Sequence, residues 1–338
     1  MKTYIVKTCI YILAIASNFV NSIYHSHLHD DDIKSFDKFI LDFNKTYVSY
    51  DVKDLAFDNF RSNLRRIDTH VYEKAGYKIG INQFADMSIS DFNKWKGDGC
   101  YNTLPTTKSC RIFQRQNEIN IPSTIDWRDK NVVTPVKDQG QCGSCWAFSA
   151  TGSIEGAWAI KTGELVSISE QQLVDCSASY GNQGCAGGLM DLAFEYAIDN
   201  GMCTEDEISY TAKDGSCKEC INPTVKVTDC LDIQSGDQVA LKEAVANGPV
   251  SIAIEADTLT FQLYTSGIIS STRCGTNLDH GVLIVGYGVE ADGNMYWLVK
   301  NSWGSGWGDN GYVKIGRSES TNDNGICGIA MQPSMALC

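Results

Sequence analysis

The stretch Gln139-Gly-Gln-Cys-Gly-Ser-Cys-Trp-Ala-Phe-Ser149 sets a cysteine, Cys145, between a glycine-rich turn and a run with helical spacing. From Cys145 to Ile160 apolar residues recur every three or four positions among good helix formers, so Cys145 falls near a helix N-terminus. Unpaired amides at such an end carry partial positive charge. That field favours thiolate over thiol, and the thiolate is the species that attacks carbonyl carbon.

An activated thiol needs a proton acceptor. Of the five histidines, His25, His27, His29 and His70 precede residue 71, and His280 is the only imidazole beyond it. If Cys145 works with histidine, the partner is His280.

Composition narrows the function classes. At 338 residues and 43% hydrophobic content the chain is long enough for two domains with real cores. Lys and Arg number 16 against 14 Asp and Glu up to residue 120, and 12 against 27 beyond it. So acidic a second part argues against nucleic acid or an anionic membrane as its ligand.

Lys2 and Lys7, the apolar run Cys9 to Ala16 and small or polar residues to Ser22 read as a secretory signal peptide over 1–22, with an uncleaved anchor as the alternative. Export suits fourteen cysteines. Removing Cys9 leaves an odd number, hence an unpaired thiol, for which Cys145 is the candidate. Ile33, Phe36, Phe39, Ile40 and Phe43 form one apolar helical stripe, and Leu55, Phe60, Leu64 and Ile67 a second. Residues 97–120 lose that period and gain Gly, Asn, Thr and Pro, as a cleavable linker does. Beyond residue 245 the pattern alternates, as in Val250-Ser-Ile-Ala-Ile-Glu255 and Tyr312-Val-Lys-Ile315. A helical half with Cys145 is followed by a sheet half with His280, and chemistry is expected in the groove between them.

From about residue 33 to the C-terminus the chain resembles precursors of papain-family cysteine proteases of the cathepsin L type. The Cys-Gly-Ser-Cys-Trp run, Leu278-Asp-His-Gly-Val282, and Trp297-Leu-Val-Lys-Asn-Ser-Trp-Gly304 occur in the family's order. The resemblance implies an α+β fold: a papain-like two-domain peptidase, with a helical left domain (about 131–231), an antiparallel β-barrel right domain (about 232–335), and the active site in the cleft. Mature residues 121–338 would follow a mainly helical inhibitory propeptide over 23–120.

The resemblance implies that Cys145 is the nucleophile, His280 the general base and acid, and Asn301 the group that orients the imidazole under the cover of Trp303. Gln139 would stabilise the oxyanion together with the backbone N–H of Cys145. Cys142 and Cys145 also form a Cys-x-x-Cys, which alone would suit a redox centre, but a βαβ context is missing and His280 and Asn301 would have no role. Other readings that keep the fold are a peptide ligase or transpeptidase and a catalytically dead binding protein.

The family pattern implies three disulfides: Cys142 with Cys185, Cys176 with Cys217, and Cys274 with Cys327. Cys203, Cys220, Cys230 and Cys338 are extra, with two further bridges expected. A zinc site from Cys203, Cys217, Cys220 and Cys230 is a weaker alternative, so no metal or cofactor is expected. Cys100 and Cys110 are expected to pair within the linker. Gly80-Ile-Asn-Gln-Phe-Ala-Asp86 fits the family's Gly-x-Asn-x-Phe-x-Asp propeptide motif, whereas Val52, Ala56 and Val71 depart from the charged and polar residues usual upstream. The propeptide is expected to cover the cleft until acid protonates carboxylates such as Asp86. The single sequon, Asn44-Lys-Thr46, lies within it.

Gly187 and Gly188 match the family's backbone site for extended substrate; Leu189, Met190, Ala253, Leu278 and Gln332 match its second subsite. A neutral Gln332 implies a preference for Leu or Phe there over Arg. Expected partners are protein and peptide substrates, the propeptide itself and cystatin-type inhibitors, for a monomer without nucleic acid or, after signal cleavage, membrane contact. The expected destination is a lysosome-like compartment or the exterior. No occluding insertion is apparent, which favours internal cleavage.

Overall fold

The computed structural model describes residues 30–97, 110–115 and 121–338. The signal-like segment 1–22, the histidines His25, His27 and His29, and Cys100 lie outside them. Two compact units emerge: a small one whose described part is 30–68 with Ala85–Met87, and a large one of Thr69–Phe84 and Ser88–Cys338. The division therefore falls inside the expected propeptide, because residues 69–84 and 88–97 fold with the peptidase domain.

In the small unit two helices, α1 (30–42) and α2 (Tyr50–Thr69), bury Phe36, Phe39, Ala56 and Phe60. Rings of Phe36 and Phe39 lie 5.3 and 5.0 Å from that of Phe60. Leu55 of the expected stripe is 59% exposed; the buried face of α2 is Ala56, Phe60 and Asn63, one helical position round. Across the two helices, Arg61 Nε lies 3.1 Å from Asp32. Buried Asn63 donates to the carbonyls of Ala85 and Met87 at 2.8 and 2.9 Å. Asp86 accepts from Lys45 Nζ and Tyr47 OH, both at 2.9 Å.

The large unit is built on helices α3 (Ile89–Lys96), α4 (Cys145–Thr162), α5 (Glu170–Cys176), α6 (Met190–Asn200) and α7 (Gln238–Asn247). Its strands are β1 (Tyr77–Ile79), β2 (Arg111–Ile112), β3 (Ile125–Asp126), β4 (Asp229–Asp232), β5 (Val250–Ile254), β6 (Tyr264–Ile269), β7 (His280–Val289), β8 (Met295–Lys300), β9 (Tyr312–Gly316) and β10 (Ser334–Leu337). They join in the order β1-β6-β9-β8-β7-β5-β10-β4-β2, with β3 on β7. The sheet is mixed: β6 runs parallel to β9 and β2 to β4, while the other pairs are antiparallel.

Helix α4 is buried along most of its length, with Trp146, Ala150 and Ile154 packed in one core with Phe194, Ala197 and Ala336. A Cβ at Gly152 would lie 2.6 Å from Leu283, and one at Gly156 2.6 Å from Pro249. Glycine at both sites lets the helix backbone press against β7 and the turn leading into β5, which sets Cys145 against the sheet.

Disulfides join Cys142 to Cys185, Cys176 to Cys217, and Cys274 to Cys327. Two expectations are overturned. Cys110 pairs with Cys230 rather than with Cys100, because β2 lies alongside β4 and brings the two Cα atoms to 4.9 Å. The extra cysteines then supply one bridge among themselves, Cys203–Cys220. With Cys230 taken by the linker, Cys338 is the free thiol among the described residues. All four sulfurs of the zinc alternative are spent in bridges. Among the described residues no helix is long and apolar enough to cross a membrane.

Candidate active site

Cys145 opens α4; the N-cap Ser144 makes no side-chain cap, and its carbonyl accepts from Ala147 N and Phe148 N at 2.8 and 3.3 Å. The preceding loop is held rigidly: Gly143 N donates to Cys185 O at 2.9 Å, and Tyr210 OH donates to Gln139 O at 2.8 Å. A Cβ at Gly143 would sit 2.5 Å from Cys185 O, so glycine is required beside the Cys142–Cys185 bridge.

His280 begins β7. Its neighbour Gly281 comes within 3.2 Å, by its missing Cβ, of the Trp146 backbone, and Gly281 N donates to Cys145 Sγ at 3.3 Å. His280 Nε2 meets Asn301 Oδ1 at 2.8 Å, which leaves Nδ1 without a hydrogen-bond partner and available to sulfur chemistry. The imidazole stacks on Trp303, centroids 4.6 Å apart at 25°, and both side chains are fully buried. Trp307 closes the far face of Trp303, edge-on at 4.9 Å. The structure thus brings Cys145, His280, Asn301, Trp303 and Gln139 together.

In this form the Cys145 sulfur is disulfide-bonded. The expectation that Cys145 is the unpaired thiol is corrected accordingly. That place falls to Cys338, whose thiol burial pushes up to about 11, making it a poor nucleophile.

Residues 76–84 and 88–97 fill the cleft. β1 pairs with β6, and Asn82 Nδ2 donates to Gln262 O at 2.8 Å while its Oδ1 accepts from Phe84 N at 3.0 Å. Gln83 Nε2 donates to Trp303 O at 2.7 Å. Phe84, Phe92 and Trp95 pack edge-on against Trp303. Gln139 Nε2 donates to Lys96 O at 3.3 Å, so a propeptide carbonyl takes a donor suited to an oxyanion. Lys96 Nζ lies 2.9 Å from Asp279 Oδ2 in a buried ion pair. Burial, and next the Lys96 charge, push His280 down to about 3 against the pull of Asn301. The imidazole is neutral here. Burial also raises Asp279, against the pull of Lys96.

Met190 and Ala253 lie in the core, with half-buried Leu278 packed against them; Leu189 is buried and Gln332 exposed. A Cβ at Gly188 would meet Asn182 Oδ1 at 2.5 Å, and Gly187 has φ of 122°, so neither position accepts a side chain readily.

Sequence reasoning missed Lys96, Asp279 and Ser302, whose Oγ donates to Gln139 Oε1 at 2.7 Å. It also missed a buried polar network behind the site. Lys300 donates to Thr134 Oγ1, Thr134 to Glu155 Oε2, and Lys137 to Glu155 and Glu170. Burial lowers Lys300 to about 8 and raises Glu170 to about 7, the latter against Lys137. This network ties α4 to the end of β8, and so Cys145 to Asn301. The available signal was charge in apolar surroundings: Glu155 inside a buried helix and Lys300 at the end of Tyr296-Trp-Leu-Val299.

A sulfur at a helix start, a buried imidazole from a strand and an amide behind it define a cysteine-nucleophile hydrolase held in a proenzyme. Residues 121–337 match the family described as Papain family cysteine protease, and 36–92 match the Cathepsin propeptide inhibitor domain (I29). The chain belongs to the papain family of cysteine proteases, in its cathepsin L-like branch. It is 47% identical over 295 residues to Thiol protease SEN102 of Hemerocallis sp., covering 85% of this chain and 81% of that protein. It is 43% identical over 330 residues to a Cathepsin L-like protein of Caenorhabditis elegans, covering 94% and 95%. Digestive procathepsin L 3 of Tenebrio molitor larval midgut superposes with a TM-score of 0.82 at 38% identity, over 91% of this chain and 99% of that one.

Proposed function

We propose that this chain is the zymogen of a secretory-pathway endopeptidase that is activated in acid and cleaves protein substrates through Cys145 and His280. The observation that carries the reading is the His280–Asn301 contact at 2.8 Å beside a sulfur that already accepts from Gly281 N at 3.3 Å. Once Cys145 is reduced and the cleft is open, His280 Nδ1 takes the thiol proton, and the thiolate attacks the peptide carbonyl. Gln139 Nε2, freed from Lys96 O, and the Cys145 amide receive the oxyanion. His280 returns its proton to the leaving amine, then deprotonates the water that cleaves the acyl-enzyme. Asn301 holds the ring and Trp303 excludes water from their bond. Ser302 positions the Gln139 amide through its Oε1 contact.

The signal peptide spans 1–22 and maturation falls near Ile121. Substrate backbone lies along Gly187 and Gly188, and a bulky apolar side chain enters the subsite walled by Leu189, Met190, Ala253, Leu278 and Gln332. The mature enzyme acts as a monomer and suits cystatin-type inhibitors that enter the same cleft. The test is a fluorogenic peptide series with the reduced, acid-activated enzyme, beside Cys145→Ala. Leu or Phe in the second subsite is expected to exceed Arg, and Cys145→Ala to lose roughly 10⁴-fold or more. Persistence of hydrolysis in Cys145→Ala defeats the reading, and an added amine captured as the main product makes the enzyme a ligase instead.

A further inference from the structure

Of the linker residues 110–115, Cys110 is buried in the peptidase domain and the rest are strung along its surface. Cys110 and Cys230 are 5% and 3% exposed, and both belong to the core that holds Trp146, Ile154, Phe194 and Ala336. From the bridge onward, β2 runs parallel to β4, with Arg111 opposite Leu231 and Ile112 opposite Asp232. Phe113 N donates to Asp232 O at 2.8 Å. Arg111 pairs with Asp229, and Arg115 reaches Asp237 at 3.8 Å and Glu243 at 3.6 Å.

We propose that the Cys110–Cys230 disulfide keeps the propeptide covalently attached to the mature domain after the linker is cut, so that clearing the cleft takes a thiol reductant as well as proteolysis. The proposal rests on the reading above that maturation falls near Ile121, after Cys110. A cut there severs the peptide chain but leaves everything before it joined through sulfur. A tethered inhibitor rebinds intramolecularly, at an effective concentration of about millimolar for short linkers. The occluding residues 76–84 and 88–97 then stay in place even though the chain has been processed.

Release follows thiol–disulfide exchange. A low-molecular-weight thiolate attacks one sulfur of the bridge, the S–S bond breaks, and a mixed disulfide forms as the other cysteine leaves as thiolate. A second reductant thiol resolves it, giving two protein thiols and one oxidised reductant. Two electrons pass from reductant to protein. The same reductant frees Cys145, which is also bridged in this form, so a single chemical condition removes the tether and exposes the nucleophile.

The test uses full-length Cys145→Ala zymogen, which lacks the bridge at the nucleophile, cut at pH 4.5 by a trace of activated wild-type enzyme stripped of reductant. On a gel without reductant the two fragments are expected to migrate as one species and to separate when dithiothreitol or glutathione is added. Cys145→Ala/Cys110→Ser and Cys145→Ala/Cys230→Ser are expected to separate without reductant. Separation of the unreduced fragments in Cys145→Ala alone overturns the proposal, as does a mature N-terminus before Cys110. Should the double variants fail to fold, mass mapping of uncut zymogen decides: the linked Cys110 and Cys230 peptides support it, and alkylated Cys110 ends it. The readings fail separately, since absence of peptide hydrolysis by reduced wild-type enzyme defeats the peptidase reading, whereas fragment release without reductant defeats only the tether.

Discussion

The propeptide holds itself together in one way and holds the cleft in another. Residues 30–68 with Ala85–Met87 are organised around packed phenylalanine rings, whereas the occluding residues 76–84 and 88–97 are held by side-chain amides on backbone carbonyls, the Lys96–Asp279 ion pair and an aromatic cap on Trp303. Ring burial is indifferent to pH; a segment whose Lys96 charge pushes the buried His280 imidazole down is not. The scaffold of the inhibitor and its grip are therefore separable by the conditions that disturb each.

The largest effect is expected from Phe60→Ala, which empties the centre of the ring cluster and costs about 3–5 kcal/mol. Calorimetry of the zymogen should show an early transition moving down while the main transition of the large unit stays. If both transitions fall together, the two regions are not energetically distinct.

Acid is expected to act at His280. In the closed form its pKa is about 3, below the ordinary imidazole value of 6.5, so closure binds fewer protons than opening does. Closure is fully stabilised above about pH 6.5 and loses stability as pH falls towards 3, by roughly 2–3 kcal/mol at pH 4.5. This differs from the expectation that carboxylates such as Asp86 sense acid, since the hydrogen-bond partners of Asp86 are Lys45 and Tyr47, within the small unit itself. With reductant present, propeptide release from cut Cys145→Ala zymogen should quicken up to about 50-fold between pH 6.5 and 4.5. Cys145→Ala/His280→Gln should lose most of that dependence; an unchanged profile assigns the sensor elsewhere.

Much of this site was legible because its chemistry depends on rare residue types. A single histidine beyond residue 71 and a cysteine at a helix start leave little choice, and the motifs around His280 and Asn301 settle the rest. The helical half and the alternating half were legible from period alone. What escaped was pairing across long separations. Nothing in the local pattern of Cys110 points to Cys230, because their encounter depends on a two-residue parallel strand that carries no periodic signal. Lys96 escaped for a related reason: as the last residue of α3 it looks like a solvated helix end, and only the tertiary contact with Asp279 buries it. Leu55 misled because a stripe read one position off still alternates at helical spacing.

A smaller effect is expected from Lys96→Met, which keeps the stem and removes the charge. The Asp279 partner is lost, yet so is the repulsion that lowers His280. Closure at pH 7 should weaken by about 1–2 kcal/mol, and its pH dependence should flatten because the imidazole regains protons while still covered. Release measured at pH 7 and 5 reads both. Faster release at pH 7 with an unflattened slope leaves the ion pair as a grip and removes Lys96 from the acid response.

The smallest effect separates the cleft from the linker strand by sign. Asp232, on the strand that pairs with residues 111–112, is pushed up to about 7 by burial and then by Asp191, itself raised by burial. A carboxyl whose pKa rises on folding destabilises the fold as pH climbs from about 4 to 7, so this edge is firmest in acid, where the cleft is weakest. Asp232 is partly solvated, which limits the term to about 1 kcal/mol, or ~2–4 °C in Tm. Asp232→Asn should raise the Tm of the zymogen at pH 8, leave it nearly unchanged at pH 4, and so narrow the gap between them. A variant that loses stability equally at both values shows instead that Asp232 matters there for packing, and the linker strand then has no pH response of its own.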